Sequence, residues 1–146
     1  MTTLYWYVCA TFRLKTHGLT IFLDAYIDRA EGAPGTGLSA GDITECDWIV
    51  VGHSHFDHLY GAERIMANTH ATLIGSYETI RVMEAAGGPA ERMICVAGVD
   101  GVRLSDDVFG SVYPSQHSSL WSVQCGTQSG DVSIVDPGLT RQEQRD

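Results

Sequence analysis

The chain has 146 residues, with 44% hydrophobic and 18% charged residues, enough for one domain with its own core and too apolar for a disordered segment. Nine Lys and Arg stand against 18 Asp and Glu, a formal net charge of −9 that disfavours a broad basic face for nucleic acid. The opening Met1-Thr2-Thr3-Leu4-Tyr5-Trp6 has no basic stretch before an apolar signal region. No run has the length of a membrane span, so the expected setting is the cytoplasm, with no membrane partner. Cys9, Cys46, Cys95 and Cys125 are scattered and form no C-x-x-C pair, which predicts free, buried thiols.

In chain order, Leu4 to Lys15 is rich in aromatic and β-branched residues and predicts one strand. His17-Gly18 suits a tight turn, with Leu19 to Leu23 as the antiparallel partner. The segment 31–37 is a loop by its Gly, Pro and Thr content. Trp48-Ile49-Val50-Val51 is an unbroken apolar run, as expected of a strand covered on both faces. Ala62 to Thr69 predicts a short helix with Ile65 and Met66 inward, and Ala71 to Ile74 a strand. Ser76 is the expected N-cap of a helix running to Ala86 and stopped by Gly87-Gly88. Tyr77, Ile80, Val82 and Met83 are its apolar positions. Met93 to Ala97 predicts a strand, and Val102 to Leu104 with Val108 to Tyr113 a hairpin around Ser105-Asp106-Asp107. Val123 to Gly126 and Val132 to Val135 are further expected strands.

The densest chemistry follows the apolar run. His53-Ser54-His55-Phe56-Asp57-His58 holds half of the six His of the chain beside a carboxylate. Two His at i and i+2 on an extended backbone project to the same side, and a subsequent turn brings Asp57 and His58 in from a second direction. Imidazoles with a carboxylate are the ligand set of Zn²⁺ or another divalent ion such as Mn²⁺. The site would lie at the carboxyl end of a sheet strand, the usual place in open α/β sheets.

The run H-S-H-F-D-H, followed by Leu59-Tyr60-Gly61, resembles the H-x-H-x-D-H loop of the metallo-β-lactamase-fold hydrolases, among them the lactonase-like members. The resemblance implies an α/β (α+β) αββα sandwich. The chain matches its N-terminal half and the start of the second, so that 1–146 is a single domain, half-sized and incomplete at its C-terminus. It implies His53 and His55 on a first metal, and Asp57 and His58 on a second. His117, in Pro114-Ser115-Gln116-His117, takes the place of the downstream His of the first metal. Asp136, after Ser133-Ile134-Val135, is the nearest counterpart of the bridging carboxylate. Asp131, in a Gly-Asp pair, is the rival for that role, but it precedes its apolar strand. No His follows His117, so the second metal lacks its last ligand. Asp24, ending Phe22-Leu23-Asp24, corresponds to an Asp that accepts a hydrogen bond from a ligand His. His17 and His70 are structural, the latter as a helix C-terminal cap.

The implied activity is hydrolysis of an ester, lactone, amide or phosphoester in a small-molecule substrate. One or two cations acidify water and stabilise the oxyanion, while Asp57 orients the water and takes its proton. The rival is a noncatalytic metal-binding half-domain that assembles with a partner chain. Half a sandwich leaves an apolar sheet face, which a homodimer would cover.

Overall fold

The computed structural model describes residues 1–29 and 32–115. His117, Asp131, Asp136, Cys125 and the two last expected strands lie outside the described residues. Strands β1 (Thr3–Trp6), β2 (Phe12–Thr16), β3 (Leu19–Leu23), β4 (Trp48–Val50), β5 (Thr72–Gly75) and β6 (Met93–Cys95) form one six-stranded sheet in that order. The first three are antiparallel, and β3 to β6 run parallel. Parallel neighbours need long crossovers. They are made by α1 (Phe56–Leu59) and α2 (Ala62–Asn68) after β4, and by α3 (Tyr77–Ala85) after β5. A separate ribbon pairs β7 (Asp100–Arg103) with β8 (Phe109–Val112).

Alternation along each strand fixes the layers. Phe22, Ile49 and Leu73 are register neighbours across β3, β4 and β5, and all three are fully buried. They share one core with Leu59, Ile65, Met66, Val82 and Met83, so the three helices cover that face. The opposite face carries Trp48, whose indole N–H donates to the Leu104 carbonyl at 3.1 Å and ties the ribbon to it. The expectation that β4 is buried on both faces therefore holds for Ile49 but not for Trp48 and Val50, which are half-buried. Among the described residues the layers are helices, sheet and the ribbon of a second sheet.

The expected single strand from Leu4 to Lys15 is instead a hairpin, turning at residues 7–11 with Val8 and Cys9 at φ of 70° and 51°. Those values are uncommon outside Gly. They are held by the Arg29 guanidinium, which donates to the carbonyls of Tyr7 and Val8 at 2.9 Å each. Ser76 caps α3 by accepting from the Thr79 N–H at 3.2 Å, and Gly87 takes a φ of 86° beyond its end. Tyr77 does not join the core; it is 72% exposed. Nor does His70 cap α2: Arg92 donates there instead, to the carbonyls of Met66, Thr69 and Ala71. None of the described helices is long and apolar enough to cross a membrane.

Candidate metal centre

The cluster is built from two strand ends. β3 stops at Leu23, and Asp24 adopts a φ of 50°, a left-handed backbone that Asp tolerates better than most residues. This turn aims its carboxylate across the end of β4. Oδ1 accepts from the Gly52 N–H at 2.7 Å, and Oδ2 lies 2.8 Å from His58 Nδ1. With Nδ1 donating to Asp24, His58 keeps its Nε2 lone pair for another partner.

α1 supplies Asp57 and His58 from its single turn, begun at His55 with an extended backbone. Two backbone bonds lash this turn to the segment after β3: Ala25 N–H to His58 O at 2.6 Å, and Ile27 N–H to Tyr60 O at 3.3 Å. Gly61 joins α1 to α2 with a φ of 118°, and a Cβ there would sit 3.3 Å from that of Ala40 and 3.4 Å from the Ala25 carbonyl, so Gly lets this junction lie against the segment after β3. Tyr26 meets Phe56 edge to face at 5.5 Å between centroids, fixing the same junction from its side chains.

His53, Asp57 and His58 each offer a ligand atom, and these atoms lie within 4.8 Å of one another. The rings of His53 and His58 are 3.8 Å apart by centroid, and His58 Nε2 is 3.7 Å from Asp57 Oδ2. His55 stands against His53, with 3.0 Å between Nδ1 and Nε2. His53 of the first implied pair thus stands beside Asp57 and His58 of the second, which the α1 turn brings to it. Burial opposes protonation of His58, but the hydrogen bond and charge of Asp24, with the charge of Asp57, outweigh it and hold the imidazole above its ordinary value. The same negative charge of Asp24 and Asp57 that favours the proton on His58 would favour a cation in its place.

The backbone brace at Ala25 and Ile27 and the Gly52 N–H were not among the expected site groups. The apolar strand ending in Asp24 is the signal that points to that region.

No family model matches the chain. It is similar to a UPF0173 metal-dependent hydrolase of Anaeromyxobacter dehalogenans, 31% identical over 129 residues, which are 86% of this chain and 46% of that protein. A UPF0173 metal-dependent hydrolase of Caldivirga maquilingensis is 28% identical over 143 residues, covering 96% of this chain and 60% of that protein. The chain therefore spans about half the length of the relatives it matches. Among solved structures it superposes on Igni18, a metallo hydrolase of the archaeon Ignicoccus hospitalis, with a TM-score of 0.61 and 20% identity. That match covers 82% of this chain and 51% of the other. The fold is that of the metallo-β-lactamase superfamily. A variant of the CmlA beta-hydroxylase also matches, with a TM-score of 0.50 and 18% identity, over 69% of this chain and 22% of that one. A hydrolase and a hydroxylase on one fold mean that the reaction must be argued from the side chains. In this metallo-β-lactamase fold those side chains lie at the carboxyl end of β4, where the helix-backed part of the sheet holds them.

Proposed function

We propose that the chain carries the metal centre of a hydrolase acting on an ester, lactone, amide or phosphoester. The convergence of His53, Asp57 and His58 donor atoms within 4.8 Å carries this reading. Two imidazoles and a carboxylate suit Zn²⁺, and Mn²⁺ accepts the same donors. His55, 3.0 Å from His53, adds a fourth donor. His117 and Asp136 complete the set on the strength of the resemblance. The bound cation would supply acidified water and a positive charge for the developing oxyanion. His58 would be held in one tautomer by Asp24, and Asp57 would orient the water and take its proton at a carboxylate oxygen.

The partner is a small molecule and not nucleic acid or a membrane, in keeping with the net charge of −9, and the compartment is the cytoplasm. A homodimer would cover Leu4 and Trp6, which are 57% and 67% exposed on the edge strand β1. Light scattering that gives a monomer at every dilution would remove the dimer.

Elemental analysis and a hydrolysis assay on the same preparation test the main reading. The expected result is one or two zinc or manganese ions per chain, turnover that disappears with a chelator, and weaker metal binding in His55→Ala. A protein that takes up no metal overturns it. The second reading is metal binding without turnover, and metal uptake without hydrolysis of any substrate class would select it.

A further inference from the structure

A groove of about 570 Å³ opens beside the donor cluster, between the outer face of β4 to β6 and the β7–β8 ribbon. Val50 and Ile74 form its floor, Val96 and Val112 its walls, and Gly52, the residue before His53, belongs to its lining. Tyr77 and Tyr113 stand in the lining, 72% and 74% exposed. Its volume is in the range of small-molecule sites. The decisive feature is chemical: among the described residues, no Lys, Arg, His, Asp or Glu lines it.

A substrate held at His53, Asp57 and His58 must lay the group flanking its scissile bond somewhere, and this groove adjoins that cluster through Gly52. An anionic flank would there be desolvated without a cationic partner, within a chain of net charge −9. An apolar flank meets valine and isoleucine side chains and two tyrosine rings, which reward its burial, while Ser76, Ser111 and Ser115 add only uncharged polar groups. Resting on the hydrolase reading above, we infer that the groove selects an uncharged acyl or aryl chain flanking the scissile bond of an ester, lactone or amide. It thereby rejects substrates whose flanking group carries a carboxylate or phosphate.

The test uses the full chain loaded with zinc and three p-nitrophenyl esters with one leaving group: acetate, hexanoate and the monoester of adipate. Each buried CH₂ is worth about fourfold in binding, so kcat/KM should rise at least about tenfold from acetate to hexanoate. It should fall by a similar factor from hexanoate to adipate, which has the same six carbons and a terminal carboxylate. Tyr77→Arg, at an exposed position, should raise the adipate rate and lower the hexanoate rate. Adipate equal to or better than hexanoate in the unaltered protein would overturn the inference and leave the hydrolase reading intact.

Absence of turnover with all three esters would instead leave the hydrolase reading to the other bond classes, and the groove is then read by binding alone. N-phenylhexanamide should shift the backbone amide NMR signals of Ser76, Tyr77 and Val112, and the monoanilide of adipic acid should shift them far less. Equal shifts, or none, would overturn the inference.

Discussion

The centre of the sheet and its margins are made of similar residues with different fates. Ile49, Leu73 and Phe22 lie at 0% exposure under three helices, whereas Trp6 on β1 and Phe109 on β8 are 67% and 61% exposed. Hydrophobicity alone does not separate the two groups. What separates them is whether a crossover returns over the strand: parallel pairing from β3 to β6 requires connections, and these bring α1, α2 and α3 across one face. The antiparallel margins turn directly through short loops and gain no cover. The donor cluster belongs to the covered centre, since the crossover from β4 to β5 begins with the very residues His53 to His58.

The largest effect expected at that centre is on chemistry. Asp57→Ala removes the carboxylate from the cluster and should lower metal-dependent turnover by roughly 10²–10⁴-fold. Far-ultraviolet circular dichroism should remain unchanged, because Asp57 is half-buried and outside the apolar core. Turnover retained in the folded variant would show that Asp57 neither holds the cation nor moves the proton.

Thiol chemistry draws the same contrast at a thousandfold scale. Burial, with the charge of Asp47 added, pushes the Cys46 thiol up to about 12, whereas Cys9 and Cys95 are exposed at the margins. A maleimide at pH 8, read by peptide mass spectrometry, should modify Cys46 on the order of a thousandfold more slowly than an ordinary thiol of pKa about 8.5. The folded state holds the Cys46 proton more tightly than the unfolded state. Its contribution to stability is therefore full below about pH 8.5 and is lost as pH rises from there towards 12. Fast labelling of Cys46 in native protein would mean that the centre opens readily.

Packing supplies a comparison in stability alone. Ile49→Ala, at a site with 0% exposure, should cost about 2–5 kcal/mol in urea unfolding. Phe109→Ala should change stability by about 0.5 kcal/mol or less, since a margin side chain exposed by 61% loses little on truncation. Similar costs at both positions would mean that another surface covers the ribbon in solution.

The same division governs what the sequence made legible. The turn at His17-Gly18, the Ser76 cap, the inward Ile65 and Met66, and β4 are local patterns that tertiary structure leaves in place. The margins defeated such reading. Val8 and Cys9 have no turn signature; the turn at 7–11 is closed by its own backbone, Tyr7 N–H to the Thr11 carbonyl at 2.9 Å, and braced by Arg29, 20 and more positions away. Tyr77 fits an apolar helix position but lies on the first turn, beyond the core. At the site, the residue types were readable as a candidate metal motif, and the closeness of His53 to Asp57 and His58 comes from the fold. α1 is only four residues long, too short for periodicity, and its turn decides that Asp57 and His58 face His53. The chemistry of Asp24 was suggested by its place after an apolar strand, and its second bond, to Gly52, was not.

That second bond gives the smallest predicted effect, and the one that best defines how the centre is held. Asp24 contacts His58 at 2.8 Å and Gly52 at 2.7 Å, so it joins the two ends of the loop that carries the donors. Asp24→Ala frees the His58 ring to change tautomer and leaves the Gly52 N–H without its carboxylate. Loss of such a partner behind a ligand His weakens metal affinity by roughly 10–100-fold. Asp24→Asn separates the two roles: the amide oxygen can still accept one bond, but the negative charge that favours a cation is gone. If orientation dominates, Asn should recover most of the affinity lost in Ala; if charge dominates, the two variants should bind zinc equally weakly. Competition with a zinc chelator dye measures both variants on one scale. Wild-type affinity in Asp24→Ala would show that His58 is fixed by the α1 brace at Ala25 and Ile27 alone, and that the end of β3 supports the loop through its backbone.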